Sequence, residues 1–340
     1  MRAVSYRVTG DPDVLEVTDR PERDPGPGEV RVRIRRSGVN PTDWKSRRGS
    51  GPGTPVEPAQ VPNQDGSGVI EAVGVGVEAG LTGLRVWIRE AAHGRPDGTA
   101  QEVAIVPARN VVTLPDHASF DLGASLGVPF VTAHRCLTVT EGGPTRLGPG
   151  ALEGRVVLVA GGAGAVGNAT IQLARGSGAT VLTTVSSPEK AQLAAAAGAD
   201  HVIDYRRQDV VGEVRRIAPG GVHTIVEVAP AQNAAIDAAV LAPDGSVAVY
   251  ANNGGNEVTL PVRASMTVNA RWQFVLLYTA PSAAKAIAVD DVAAAVLERA
   301  VRVGPEAGLP LHHFLLNQTA EAHAAVERGA VGKVLIDVTD

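Results

Sequence analysis

The residues with the plainest chemistry stand in one run, "VLVAGGAGAVGNATIQLA", from Val157 to Ala174. Apolar, strand-forming residues lead into Gly161, Gly162, Gly164 and Gly167, and an alanine-rich helical pattern follows. Glycines at such a junction let the backbone turn tightly and let a pyrophosphate approach backbone N–H groups, with the helix dipole favouring the anion. Ala163 and Ala165 break the regular G-x-G-x-x-G spacing, and a glycine-rich run alone also serves as a tight loop. Its place between strand and helix, with more strand–helix units after it, points to a nucleotide, with Gly162 and Ala163 in the crook.

The next strand, "TVLTTV", ends at Ser186, Ser187, Pro188, Glu189 and Lys190. An NAD-specific fold usually carries an acid there for the ribose hydroxyls. This chain offers the hydroxyl of Ser186 and, in the first turn of the next helix, the ammonium of Lys190. No helix-dipole benefit places a cation at that end, whereas a 2′-phosphate would use both groups. NADPH is therefore the expected cofactor. Ser187 and Pro188 also read as an ordinary N-cap and first helical residue, with Lys190 exposed.

The elements around the crook follow from the rest of the 340 residues. At 34.9 kDa two domains are expected. "VRVRIRRSGV" alternates like a half-buried strand, "GSGVIEAVGVGVE" and "QEVAIVP" read as further strands, and the first part reads as a β-rich domain. From about Pro129 strands alternate with amphipathic helices, the signature of βαβ units on a parallel sheet. The chain closes on a helix, "TAEAHAAVERGAV", and a strand, "KVLIDV".

Composition narrows the class. The net charge of -5 comes from interspersed charges with no basic block, which argues against a nucleic-acid partner. No apolar run is long enough to span a bilayer and "MRAVSYRV" lacks a signal-peptide core, so a cytoplasmic location is expected. Cys136 is the one cysteine, in a helix-like setting, which excludes a cysteine-built zinc site. Lysine is scarce, at Lys45, Lys190, Lys285 and Lys333. His93, His312 and His313 show no metal-ligand spacing and are expected at the surface.

"GVNPTDWKSRRG", "QDGSGVIEAVG", "AGGAGAVGNATIQLA", "SPEKAQLAAAAGADHVIDYR" and "GAVGKVLI" together resemble the medium-chain dehydrogenase/reductase superfamily, and within it the zinc-free quinone oxidoreductase branch of zeta-crystallin. The resemblance covers nearly the whole chain in order. It implies an α/β architecture: a GroES-like β-rich catalytic domain from 1–128 and 270–340, and a Rossmann doubly wound parallel-sheet domain over 129–269, with NADPH in the cleft. It implies Gly164, Ala165 and Val166 at the pyrophosphate, Lys190 and Tyr205 at the 2′-phosphate, and Asn40, Thr132 and Lys333 at the cofactor. Tyr205 otherwise reads as a strand-end tyrosine and Lys333 as a solvated side chain.

Zinc alcohol dehydrogenases of the superfamily carry Cys where Asn40 stands and Gly-His-Glu where this chain reads "NQDGSG". Neither set is present, so a metal-free site is expected. Such a site favours acceptors already activated by conjugation, a quinone or an α,β-unsaturated carbonyl, with hydride going to carbon and charge to the carbonyl oxygen. The expected catalytic residues are Asn40 and Lys45 on the first pocket loop and Tyr250 at the end of the strand "SVAVY", Tyr250 also lying beside the nicotinamide. A pathway-specific enone reductase and a non-catalytic NADPH-binding protein remain alternatives. Two apolar strands are expected between Glu257 and Tyr278, forming a sheet edge that pairs in a homodimer and brings Trp272, Gln273 and Phe274 toward the nicotinamide.

Overall fold

The computed structural model describes residues 1–339. The chain divides into two compact units, residues 1–128 with 311–340, and residues 129–310. The first begins with β1 (Arg2–Val8), β2 (Glu16–Asp19), β3 (Glu29–Val39), α1 (Pro41–Arg48), β4 (Pro55–Gln60), β5 (Asp65–Val73), β6 (Arg85–Ile88), β7 (Val103–Pro107) and β8 (Val111–Thr113). Helix α2 (Phe120–Leu137) runs through the boundary between the units. The second holds β9 (Val156–Ala160), α3 (Ala165–Gly176), β10 (Thr180–Val185), α4 (Pro188–Ala197), β11 (His201–Asp204), α5 (Val210–Ile217), β12 (Val222–Glu227), α6 (Pro230–Val240), β13 (Leu241–Val249), α7 (Val262–Thr267), β14 (Arg271–Phe274) and α8 (Ser282–Leu297). The chain then returns to the first unit with β15 (Leu311–Leu315), α9 (Thr319–Glu327) and β16 (Lys333–Asp337).

The first unit is built on a sheet ordered β15-β16-β3-β5-β6-β8, with β7 also pairing β3, beside a smaller sheet ordered β2-β1-β4. β3 shows why it forms: Val30, Val32 and Ile34 alternate into the core while Arg31, Arg33 and Arg35 stay half-exposed. Their core includes Ile70, Ile88, Val334 and Ile336, so the last strand closes the sheet that the first strands begin.

The second unit has a six-stranded sheet ordered β11-β10-β9-β12-β13-β14, parallel throughout. That is the doubly wound order, and it reverses direction between β9 and β12. Leu158, Leu182, Ile203, Ile225 and Val247 from five strands fill the core beneath Val214 of α5. Ser187 caps α4, with Pro188 in its first turn and Gly198 in the left-handed conformation after its end.

The stretch 257–278 differs from its expected form. It holds one strand, β14, and residues 262–267 form a helix instead of a strand. Val268 is the residue after that helix and packs on the sheet core, so it is not an edge-strand position. The outermost strand is β14, paired along one side with β13 from Ser246↔Arg271 to Val249↔Phe274. Residues 270–310 also belong to the second unit, where the sequence assigned them to the first. The reason is the ladder to β13 and a buried anchor on α8. Asp291 accepts from His134 Nε2 at 2.8 Å, Arg146 Nε at 2.9 Å and Leu147 N–H at 2.7 Å. Among the described residues no helix is long and apolar enough to cross a membrane. Asp291→Ala strands three donors, one on a buried histidine, and should lower unfolding stability by about 2 kcal/mol or more, read as a reduced denaturant midpoint.

Candidate active site

The crook after β9 is set by four glycines with three tasks. Gly161 takes φ +71°, open to glycine at little cost. A β-carbon on Gly162 would stand 2.9 Å from Ile171 Cδ1 and run into Thr183, and one on Gly167 would stand 2.9 Å from Gly162 Cα. These two therefore let α3 press on the turn and on β10. Gly164 is the N-cap of α3 and supplies no side-chain acceptor. The first-turn amides of a helix have no intrahelical partner, and the residues there, Ala165 and Val166, are half-buried, while the exposed Gly164 donates its N–H to Gly161 O at 3.0 Å and Ala163 is buried behind them. Uncapped amides and a helix dipole at the carboxyl end of the sheet fit a pyrophosphate.

One strand over, Lys190 Nζ donates to Ser186 Oγ at 3.0 Å. Ser187 Oγ accepts the backbone N–H of Lys190 at 3.4 Å, so capping and ammonium placement are two consequences of one turn. Tyr205 N–H donates to Val185 O at 3.1 Å, which puts Tyr205, 52% exposed, beside the end of β10. Asp204, opposite Val185, is occupied by the N–H of Arg206 at 3.0 Å and by Arg207 at 3.6 Å. A lysine, a serine hydroxyl and a tyrosine thus gather at the ends of β10 and β11 with Arg207 beside Asp204, a set suited to a phosphate monoester.

Farther along the same edge, β13 ends before Tyr250, whose N–H donates to Glu227 O at 3.1 Å. Burial, aided by Cys136 and Glu227, drives the Tyr250 phenol far above its ordinary value, so it keeps its proton. Phe274 is paired with Val249, immediately before Tyr250, and is 58% exposed. Thr132 lies buried in α2.

In the first unit, Asn40 and Lys333 meet. Lys333 Nζ donates to Asn40 Oδ1 at 2.7 Å and lies 3.5 Å from Asp65 Oδ2, and Asn40 Nδ2 donates to Asp65 at 2.7 Å. Asp65 also accepts Val128 N–H at 2.9 Å. Asn40 N–H donates to Asp43 at 2.7 Å, and Asp43 takes Gln64 N–H at 3.1 Å. All four side chains are buried, with Lys333 1% exposed, so Lys333 is not a solvated side chain and both polar ends of Asn40 are engaged. Burial pushes Asp65 up and Lys333 down, each opposed by the charge of the other. Burial and then the charge of Asp65 raise Asp43 to about 7. Lys45 is outside this network: it is exposed on α1, its Nζ 5.8 Å from the Trp44 ring. His93, His312 and His313 are exposed.

Sequence reasoning passed over Asp43 and Asp65, and also the buried carboxyls Glu227 and Asp237. Asp43 had a signal, an acid three residues after Asn40, the spacing of a capping box. Among the described residues no group of three or more His, Cys, Asp or Glu side chains is placed to hold a metal ion.

Residues 26–116 match the alcohol dehydrogenase GroES-like domain family and residues 165–294 the zinc-binding dehydrogenase family. A quinone oxidoreductase of Rattus norvegicus is 33% identical over 260 residues, 76% of this chain and 75% of its own length. An NAD-dependent alcohol dehydrogenase superposes with a TM-score of 0.86 at 29% identity, covering 100% of both chains. A mycobacterial quinone oxidoreductase superposes at 0.82 and a mycobacterial protein complexed with NADPH at 0.80, each 29% identical with 99% of both chains covered.

Two outcomes follow from the Asn40 network. Lys333→Met leaves buried carboxylates without their cation and should cost about 3–5 kcal/mol, with much of it recovered in Lys333→Met/Asp65→Asn. A single variant as stable as the parent contradicts the pairing. Asp43 keeps a proton in the folded chain that the unfolded chain releases near pH 4. Its contribution to stability therefore falls as pH rises from about 4 toward about 7, and Asp43→Asn should flatten that part of the thermal-midpoint profile.

Proposed function

Because the chain belongs to the quinone oxidoreductase family of the medium-chain dehydrogenase/reductase superfamily, we propose that it is an NADPH-dependent oxidoreductase. It transfers hydride to a quinone or an α,β-unsaturated carbonyl and uses no catalytic metal. The observation that carries the cofactor choice is the Lys190–Ser186 pair, a cation and a hydroxyl where an NAD enzyme holds an acid. Gly162, Ala163, Gly164, Ala165 and Val166 would take the pyrophosphate, and Ser186, Lys190 and Tyr205 the 2′-phosphate. Thr132, Tyr250 and Phe274 would hold the nicotinamide end.

NADPH supplies the hydride when bound. The protein must place the acceptor and answer the negative charge that develops on its carbonyl oxygen. Tyr250 is suited to that, because its phenol stays protonated and can donate a hydrogen bond. Lys45, also proposed for that role, is exposed on α1. Asn40 serves by fixing the start of α1, held by Asp65 and Lys333. A catalytic zinc site needs thiolate, imidazole or carboxylate ligands. Here the position of the family's zinc-binding cysteine is an amide whose oxygen already faces an ammonium 2.7 Å away, and a second cation would be repelled there. Conjugated acceptors need no Lewis acid, whereas simple alcohol oxidation loses its main support without one.

The outer side of β14 adds a second copy of the chain to the proposal. Its backbone groups face outward, and Met266, Phe274 and Leu276 are exposed near it, which suits strand pairing across a two-fold axis. Light scattering should then give about twice 34.9 kDa; a mass near one chain refutes the dimer.

Turnover tests the main reading. Small quinones and enones should consume NADPH absorbance with this enzyme, before and after prolonged chelation. NADPH that binds without being oxidised by any such acceptor would leave a cofactor-binding protein instead. Lys190→Ala should weaken NADPH by about 1.5–3 kcal/mol and leave NADH little changed; equal wild-type affinities for the two cofactors refute the phosphate assignment.

A further inference from the structure

The parallel sheet reverses its strand order between β9 and β12, and a dinucleotide lies outside the carboxyl ends of the strands at such a reversal. β12 ends there on Glu227. Glu227 is 1% exposed, and Asp237 of α6 is 2% exposed. A carboxylate so deep ordinarily faces a cation, yet the partners of Glu227 are neutral. It accepts Ala229 N–H, and Asn233 Nδ2 donates to its two oxygens at 3.1 and 3.2 Å. Asn233 and Asp237 are four residues apart on α6 and share a face, so Asp237 also comes within hydrogen-bonding reach of Glu227.

Asp237 Oδ2 is buried and meets no donor among the described residues. Two ionised carboxylates at that depth would repel with little solvent to screen them. One proton between them removes the repulsion and supplies the missing donor. Burial lifts both carboxyls above their usual range, Asp237 further through the charge of Glu227. Among the described residues the titratable groups facing the pair are Tyr250 at the end of β13 and, behind it, Cys136 of α2. Burial keeps both protonated, Cys136 at about 12, so the proton in question belongs to the carboxyls.

The pair is fixed to a junction. α6 starts at Pro230, which has no N–H, and Ala229 has no side chain to cap it, so Glu227 provides the acceptor. Val228 Cγ1 packs 3.4 Å from where a β-carbon on Gly161 would stand. Val228 O accepts Asn253 N–H at 3.0 Å, and Glu227 O accepts Tyr250 N–H. One turn thereby joins the glycine crook, the end of β13 and the start of α6.

We propose that Glu227 and Asp237 share one proton and act together as positioning residues for the dinucleotide, pinning the Val228–Pro230 turn against Gly161. The ligand in this inference rests on the NADPH reading above; the shared proton rests on the carboxyl geometry alone.

Glu227→Gln still accepts Ala229 N–H and puts an amide proton where the shared one sits, whereas Glu227→Ala removes both. NADPH affinity of the wild type should fall as rising pH strips the shared proton. Glu227→Gln should lose that pH step and recover most of the affinity that Glu227→Ala loses, a loss of about tenfold or more. If Glu227→Ala does not fold, Asp237→Asn is measured beside Glu227→Gln: it keeps Glu227 and supplies an amide donor, so it should bind NADPH without the pH step, and a pH profile matching the wild type overturns the inference. Infrared spectra of the wild type at neutral pH, taken without NADPH, should show a protonated-carboxyl band that Glu227→Gln/Asp237→Asn lacks. Absence of that difference, or a Glu227→Gln pH profile matching the wild type, overturns the inference. A wild type that shows the band yet binds no NADPH overturns the cofactor reading while keeping the shared proton.

Discussion

A buried charge must be answered inside the protein, and both units of this chain are organised around that requirement. In the first, the Lys333 ammonium is answered by Asp65 and by the oxygen of Asn40. That answer fixes where α1 begins, because Asn40 also ties its backbone to Asp43. It links the closing strand β16 to the first residue of β5, so the two ends of the chain meet through charge as well as through the ladder between β16 and β3. In the second unit the problem is reversed: Glu227 and Asp237 are buried, and among the described residues the partners of Glu227 include no cation. Both arrangements cost solvation, and both sit where elements that carry candidate site residues begin or end.

The chemistry assigned to the protein follows from what these charges leave available. The first-turn amides of α3 and the Lys190–Ser186 pair are the groups that the proposed function gives to a phosphate-bearing ligand, while the Asn40 network spends its polar atoms internally. That division separates residues that would touch a cofactor from residues that hold the frame. It also explains why an alcohol dehydrogenase and a quinone oxidoreductase can share this fold to similar TM-scores: the scaffold sets where ligands lie, and the few side chains at its edge set the reaction.

Much of this was legible in the sequence, for local reasons. The glycine crook, the strand–helix alternation and the four-residue spacing of Ser186 and Lys190 are short-range patterns, and short-range patterns survive folding. Two apolar strands are expected between Glu257 and Tyr278, yet residues 262–267 form a helix that ends in a turn with Asn269 at φ +48°; tertiary context overrode propensity. The assignment of 270–310 failed because the anchor of α8 is His134, 157 residues away. Lys333 and Asp65 are 268 residues apart, and an acid within "HTIVEVA" looks like an exception to an apolar run until α6 brings Asp237 to it. Interactions between buried charges leave no periodic trace, so the positioning residues were the part of the site that the sequence hid.

The most direct test of the central claim is the fate of the hydride. Metal-depleted enzyme should be given NADPH deuterated at the transferring position and a small enone, and the product analysed by mass spectrometry and NMR. The account predicts one deuterium on the carbon β to the carbonyl, at a rate that added zinc does not raise. Turnover that appears only with zinc, or a product without deuterium at that carbon, would contradict it.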